Sequence, residues 1–312
     1  GLCETIEEAE ALAGSGKISF APAHDHAAAG AMAGTITASM PVFIVEERNS
    51  GLRSYVGVNE GLGKALRFGA NGPEVLERLR WMRDGLYPLL KQALAISGPM
   101  DLKLMIAEAL RRGDEVHNRN KAATSQFFRE IALALVATRA PHDELEKALR
   151  FISRNDHFFL SLSIAHAKAV SLYVEELGAG DIVTVMAGNG VEVGIRVASL
   201  GKRWFTAPAS VADVNLFEGH GLDEATPTMG DSYITESIGL GAFALAAAPA
   251  ISAFIGGTVE ELIARSERMR DITVDEHRHF RIPALGYKGV PSGIDVRKVV
   301  ATGINPLINT GI

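Results

Sequence analysis

Cysteine is almost missing. Cys3 is the one thiol in 312 residues, which excludes an internal disulfide framework and a cysteine-rich zinc site and fits a reducing compartment. The cytoplasm is expected on that ground. An excess of positive charge is missing too. Lys and Arg number 31 against 37 Asp and Glu, a formal net charge of −6, and no long run of one sign interrupts the balance, so no nucleic-acid surface is expected. No apolar run reads as a membrane span: the longest, residues 239–257, is rich in Gly and Ala and carries Pro249, which suits a buried helix. Internal repeats and low-complexity linkers are absent. The opening GLCETIEEAE has neither a methionine nor a basic stretch leading into an apolar one, so no signal peptide is read there, and with the closing NPLINTGI both ends look cut from a longer chain.

What is present is an ordinary globular composition, 47% hydrophobic and 22% charged, at a length that favours two or three lobes. An α+β fold is expected, with two strand-containing lobes flanking an inserted helical domain. Residues 1–72 read as an α/β lobe: a helix at ETIEEAEALA, a strand at KISFAP, then strands PVFIVEE and RSYVGV joined by a reversal at Asn49-Ser50-Gly51. Residues 73–178 show no period-2 run and read as helical, with Pro73 at a first turn, Asp101 as a cap and Gly113 as a stop. HDELEKALRFISR places Leu145, Leu149 and Ile152 at helical spacing, and the nearly all-apolar segment from Asp156 to Gly178 reads as the central helix. Residues 179–312 read as an α+β lobe, with a hairpin across Gly188-Asn189-Gly190, a further strand at RWFTAP, and helices at 239–248 and TVEELIARSERMRD.

Polar side chains gather at a few points. In RRGDEVHNRNKAAT (111–124), Asp114 is a good N-cap, which would put Glu115, Val116 and His117 in the first turn of the next helix. Asp114 would then meet His117 and Asn118 on one face, as Glu115 would meet Arg119. Capping and surface ion pairs would explain the charges. The poor helix formers Asn118 and Asn120 favour a site, because a first turn offers free N–H groups to a carboxylate or phosphate. Asn59, Glu60, Lys64 and Arg67 follow a strand, with Gly61 and Gly63 permitting close approach of a ligand; a turn with a solvated lysine is the plainer reading. His24, Asp25 and His26 form a cluster of acid–base or metal-ligating type. Gly239 and Gly241 open an apolar helix as a phosphate cradle does, with Asp231, Thr235 and Glu236 just upstream, although close helix packing explains the glycines equally well. Asn189 and Glu192 are accounted for by a hairpin, and His157 and His166 read as core histidines.

The motifs GDEVHNRN, NEGLGKALRFGANG (59–72), RWMRD (80–84), GKRWFTAP (201–208), MGDSYITESIGLGA (229–242) and TGINPLINTGI (302–312) resemble the YahG/YlbE-like family of bacterial proteins, in order and over essentially the whole chain. Members long had no assigned function, and one is a component of oxamate carbamoyltransferase in the catabolism of allantoin nitrogen. The resemblance implies an α+β fold with an inserted helical domain, and a carbamoyl group exchanged between phosphate and the nitrogen of oxamate. Oxalurate and phosphate would give oxamate and carbamoyl phosphate, with other subunits as partners. The Ser-x-Arg-Thr phosphate loop of aspartate and ornithine carbamoyltransferases is not found, so any phosphate site is built differently or only in part.

Such a reaction needs groups for two anions and a proton carrier. His117, with Glu115 and Asp114, is the expected catalytic set, because imidazole titrates near neutrality. Arg119 would grip an oxyanion through its planar fork, aided by Asn118 and Asn120. His24, the one member of its cluster that the family pattern supports, joins Asn59, Glu60, Lys64, Gly239 and Gly241 as substrate-binding candidates. His24, Lys64 and the 114–120 segment are expected to converge on one cleft. No metal or cofactor is expected. Expected partners are oxamate, phosphate and other subunits, with a homo-oligomer left open. A non-catalytic scaffold or ligand-binding subunit remains the alternative.

Overall fold

The computed structural model describes residues 3–31, 35–211, 221, 223 and 225–309. The tail of the last family motif, residues 310–312, lies outside them. Helix α1 (Ile6–Gly14) starts where Thr5 accepts from the Glu8 N–H. Strands β1 (Val42–Glu46) and β2 (Arg53–Gly57) then pair antiparallel, Val42 opposite Gly57. The strand expected at KISFAP does not form. Its Phe20 is 73% exposed and among the described residues no neighbouring strand offers a ladder, without which extended backbone gains nothing over hydration. The chain reaches β2 only later, where Ala29 donates to the Tyr55 carbonyl and Tyr55 donates to that of Ala27.

Every regular element between Pro73 and Leu177 is a helix: α2 (Pro73–Trp81), α3 (Tyr87–Ser97), α4 (Leu102–Arg111), α5 (Lys121–Ala137), α6 (His142–Arg154) and α7 (Phe158–Leu177), with a π turn over Met82–Leu86. The caps follow the local chemistry. Pro73 occupies a first-turn position that has no N–H to lose, and Asp101 accepts from Leu104 N–H at 3.1 Å. Gly178 closes α7 in the left-handed conformation, at φ 60°. Helix α7 is buried on nearly every face from Phe158 to Ala169. Ser54 of β2 donates to its Ala165 carbonyl at 2.6 Å, and its Ser171 donates to Thr184 of the next strand. The helix therefore runs as a spine beneath both strand regions.

Strands β3 (Val183–Asn189), β4 (Glu192–Val197), β5 (Phe205–Pro208) and β6 (Met229–Gly230) form an antiparallel sheet in the order β5-β4-β3-β6. Short helices α8 (Ile234–Ser237) and α9 (Ser252–Ile255) precede α10 (Val259–Arg268). The 239–248 stretch is helical only as a 3-10 segment, Gly241–Ala247. A hairpin that periodicity does not announce, β7 (Thr273–Ile282) with β8 (Lys288–Ile294), is followed by α11 (Val296–Thr302). The largest apolar core takes Ala29 and Val56 from the first zone, inner faces of α3–α7 from the second, and Ile234, Phe280 and Val290 from the third. The class is α+β. We propose the divisions at 72/73 and 178/179 as changes of secondary-structure type around one shared core.

Candidate functional site

Residues 113–120 form a loop, not a first helical turn. Gly113 turns left-handed at φ 96°, and Asp114 N–H reaches back to the Ala109 carbonyl to close α4. Val116 also takes a positive φ, 62°, which no helix admits. Helix α5 starts only after Asn120. The carboxylate at its start is the protein's own: Asp114 Oδ2 accepts from Ala123 N–H at 2.9 Å, capping the helix from nine residues upstream. That start is therefore already occupied and is not a free anion site. Burial lifts the Asp114 pKa to about 6, against the pull of the Ala123 N–H and the Arg119 guanidinium. Arg119 is held inward, with Nε donating to the Gly113 carbonyl at 2.9 Å and lying 3.6 Å from Asp114.

Behind this loop lies a closed polar knot. Glu115, fully buried, accepts from the N–H groups of His117, Asn118 and Arg119 and from Asn309 Nδ2 at 2.8 Å. Burial pushes its pKa up to about 7, against His117 and the three N–H groups. His117 Nδ1 meets Glu236 Oε1 at 2.9 Å and Thr235 Oγ1 at 3.1 Å. Burial opposes the imidazolium, but the carboxylates of Glu236 and then Glu115 outweigh it and raise the His117 pKa. Glu236 also accepts from the N–H groups of Asn309 and Ala242 and from the Thr235 hydroxyl. Asn118 donates to Asn309, and Asn120 Nδ2 to the His117 carbonyl. Gly241 closes the knot at φ 60°, its N–H bound to the Glu115 carbonyl. A Cβ there would come within 2.2 Å of Glu236 Oε1 and 2.8 Å of His117 Nδ1. The glycine serves close packing of these side chains, not a phosphate cradle. Gly239 packs likewise against Val290 and Pro291.

The second predicted segment opens onto a cavity. Asn59 Oδ1 accepts from Gly61 N–H, which turns the chain at a residue with φ 96°. Glu60 staples the turn, accepting from Leu66 N–H and from Arg78 of α2. Arg67 returns inward and donates to the Gly61 carbonyl at 2.9 Å. Both Asn59 and Arg67 are buried, and Asn59 Nδ2 and Arg67 Nε have no hydrogen-bond partner. Both line a cavity of about 240 Å³ that Gly30, Arg80, Arg83 and Ser161 also border. Burial lowers the Arg67 pKa to about 10, which leaves it charged at neutral pH.

His157 joins the two segments. Asn155 Nδ2 donates to the Asn59 carbonyl and its Oδ1 accepts from His157 N–H, anchoring the start of α7 to the Asn59 turn. The His157 imidazole is half-buried and its pKa falls to about 4, through burial first and then the charges of Arg67 and, more weakly, His117. Its neutral form prevails in the fold. From the ordinary value of 6.5 downward the unfolded chain takes up a proton that the fold refuses until about 4, so stability falls as pH drops through that window. NMR titration of the His157 ring should give a value near 4 and, in Arg67→Gln, a higher one that still lies below 6.5. An ordinary value in the unmodified protein would show that the two groups do not communicate.

A family model described as oxamate carbamoyltransferase subunit AllG matches residues 18–232. The chain belongs to the AllG family. It is 42% identical over 312 residues to a protein of Escherichia coli (strain K12) named as uncharacterized protein YahG, covering 100% of this chain and 66% of that protein. Over 312 residues it is 44% identical to the oxamate carbamoyltransferase subunit AllG of the same organism, covering 98% of this chain and 74% of the relative. The chain thus spans about two thirds to three quarters of these relatives. A crystal structure of a conserved protein of unknown function from Enterococcus faecalis V583 superposes with TM-score 0.95 at 41% identity, over 100% of this chain and 75% of that one. The resemblance read from the motifs is therefore a family relationship.

Each of the other candidates of this AllG-family chain has surroundings of its own. Lys64 is 80% exposed and pairs with Glu74 at 3.5 Å, as the plainer reading had it. His24 is buried with Nε2 3.8 Å from Asp231, while Asp25 turns to Arg196. His166 sits with a pKa lowered to about 4 by burial, against Phe280. Asn189 makes its hairpin turn, accepting from Val191 and Glu192 N–H. Among the described residues no group of three or more His, Cys, Asp or Glu is placed to hold a metal, and no helix is long and apolar enough to cross a membrane. Sequence reading took His157 for a core histidine and did not single out Asn155 or Asn309. Only HFF entering a helix hinted at His157, and no local pattern marks an asparagine that acts across 194 residues.

Proposed function

We propose that this chain is a component of a carbamoyltransferase, and that the cavity at Asn59 and Arg67 receives one of its anionic reactants. One observation carries the reading: two buried donors, Arg67 Nε and Asn59 Nδ2, are unpaired and border a cavity of about 240 Å³. Buried donors are rarely left unsatisfied, and a carboxylate or phosphate oxygen would satisfy both. The name of the AllG relative supports the reaction class. In the direction of phosphorolysis, a hydrogenphosphate oxygen attacks the carbamoyl carbon of oxalurate, the C–N bond to the oxamate nitrogen breaks, and the phosphate proton goes to that nitrogen. The products are oxamate and carbamoyl phosphate.

In this reading the proton role expected of His117 passes to His157. His117 is enclosed and bonded to Glu236 and Thr235, whereas the His157 ring is half-buried and neutral. A dianion beside Arg67 would offset the positive field on His157 and lift its pKa toward the working range. His117, Glu115 and Asp114 then act as positioning residues, fixing the 113–120 loop. Arg119 belongs to that loop and not to the substrate. The alternative, a ligand-binding subunit whose partners do the chemistry, draws on the enclosure of His117. Reconstitution with the partner subunits separates the two. His157→Asn should lower oxalurate phosphorolysis roughly 10²–10⁴-fold while oxamate binding persists. Unchanged turnover would leave the ligand-binding reading standing.

A further inference from the structure

A second set of unpaired donors lies further along α7. Lys168 is fully buried and its Nζ has no hydrogen-bond partner. The charged groups that reach it are Glu175, Asp231 and Lys202. His24 is 3% exposed, with neither ring nitrogen hydrogen-bonded and its nearest acidic partner, Asp231 Oδ1, 3.8 Å away. Arg196 is buried, bound through one terminal nitrogen to Asp25, with Nε unpaired and its guanidinium carbon 4.3 Å from the Trp204 ring centre. Trp204 touches His24 as well, edge-on at 6.1 Å, and its own Nε1 is buried and unpaired. His24 lies in the electrostatic reach of both Lys168 and Arg196. Donors thus outnumber acceptors. Asp25, Asp231 and Glu175 are the carboxylates in reach, the first taken by Arg196, the second beyond hydrogen-bond distance of His24 and the third accepting from the Thr184 hydroxyl.

An unsatisfied buried ammonium is costly, and water would bring as many donors as acceptors. What the site lacks is a group that only accepts. We propose that Lys168, His24 and Arg196 surround a binding site for a small oxyanion of the phosphate, bicarbonate or carboxylate class, distinct from the cavity at Asn59 and Arg67. Ser161 of that cavity and Lys168 are seven residues apart on α7, about 10 Å along the axis at 1.5 Å per residue. Gly30 borders the first cavity and donates its N–H to Asp231, so the wall between the two is shared.

The test is thermal denaturation and isothermal titration of the full chain with phosphate, bicarbonate and acetate, against chloride at matched ionic strength. At least one oxyanion should raise the melting temperature saturably, by several degrees at about 100-fold excess over its Kd, and chloride should not. Which anion does so identifies the source. The rise should persist in Arg67→Gln, which disables the first cavity, and should vanish when Lys168→Met, whose apolar chain of similar length fills the same space, is added to that variant. Arg196→Gln should weaken the rise and gives a second reading if Lys168→Met fails to fold. No saturable rise with any oxyanion in Arg67→Gln, or a rise kept in the Arg67→Gln, Lys168→Met double variant, overturns the second site.

Discussion

Arg67→Gln should weaken binding of the anionic reactant on the order of 10²-fold, the scale of removing one partner of a buried charged contact. The guanidinium is the buried, permanently charged group on the wall of the cavity, and its Nε is free to donate. Arg67→Lys should not restore binding. A lysine ammonium cannot donate to the Gly61 carbonyl and the reactant in the same plane. In a reconstituted assay the loss should fall mainly on KM, with His157→Asn falling on kcat. Equal KM values for the unmodified chain and Arg67→Gln would remove the cavity from consideration as the anion site. The choice of Gln keeps an amide able to reach Gly61, so a collapse of the Asn59 turn is not the expected cause.

The largest effect on stability is expected from Glu236→Ala. One carboxylate there accepts from His117, Thr235, Ala242 and Asn309, and its removal strands a buried imidazolium together with two backbone N–H groups. Breaking a buried ion pair from one side costs about 3–5 kcal/mol. Glu236→Gln, which keeps the shape and one acceptor, should cost less. Gly241→Ala should also destabilise, by at least about 1–3 kcal/mol, because its Cβ would overlap the same two side chains. Urea unfolding monitored by circular dichroism measures all three. A loss below about 1 kcal/mol for Glu236→Ala, the range of an exposed pair, would mean that the knot is hydrated and not sealed.

Much of the helical framework was legible because its signals are local. Asp101 and Gly178 act at their own helix ends, Pro73 at its own first turn, and the apolar content of α7 reports a helix enclosed on all sides. Strand pairs with β-branched runs and a tight turn, β1–β2 and β3–β4, were legible for the same reason. The hairpin β7–β8 was not. In TVDEHRHFRI charged residues fill the solvent face, and what makes it a strand is the burial of Phe280 and Ile282 in the shared core. KISFAP is the converse case, a strand-like sequence that pairs with no strand among the described residues.

By itself the sequence determined the α+β class, the family, and the two segments, 59–67 and 114–120, in which polar chemistry is concentrated. Tertiary structure alone decided what each residue there does. It turned Asp114 into a remote cap and Arg119 into a latch, sealed His117 against Glu236, and left Lys64 in solvent. It also brought His157, read as a core histidine, under the charge of Arg67, itself on the wall of a cavity. The reason is one of range. Caps, turns and periodicity act over a few residues and are written in them, whereas burial, partner choice and the pKa shifts that follow depend on groups more than a hundred residues away, as Glu236 is from His117.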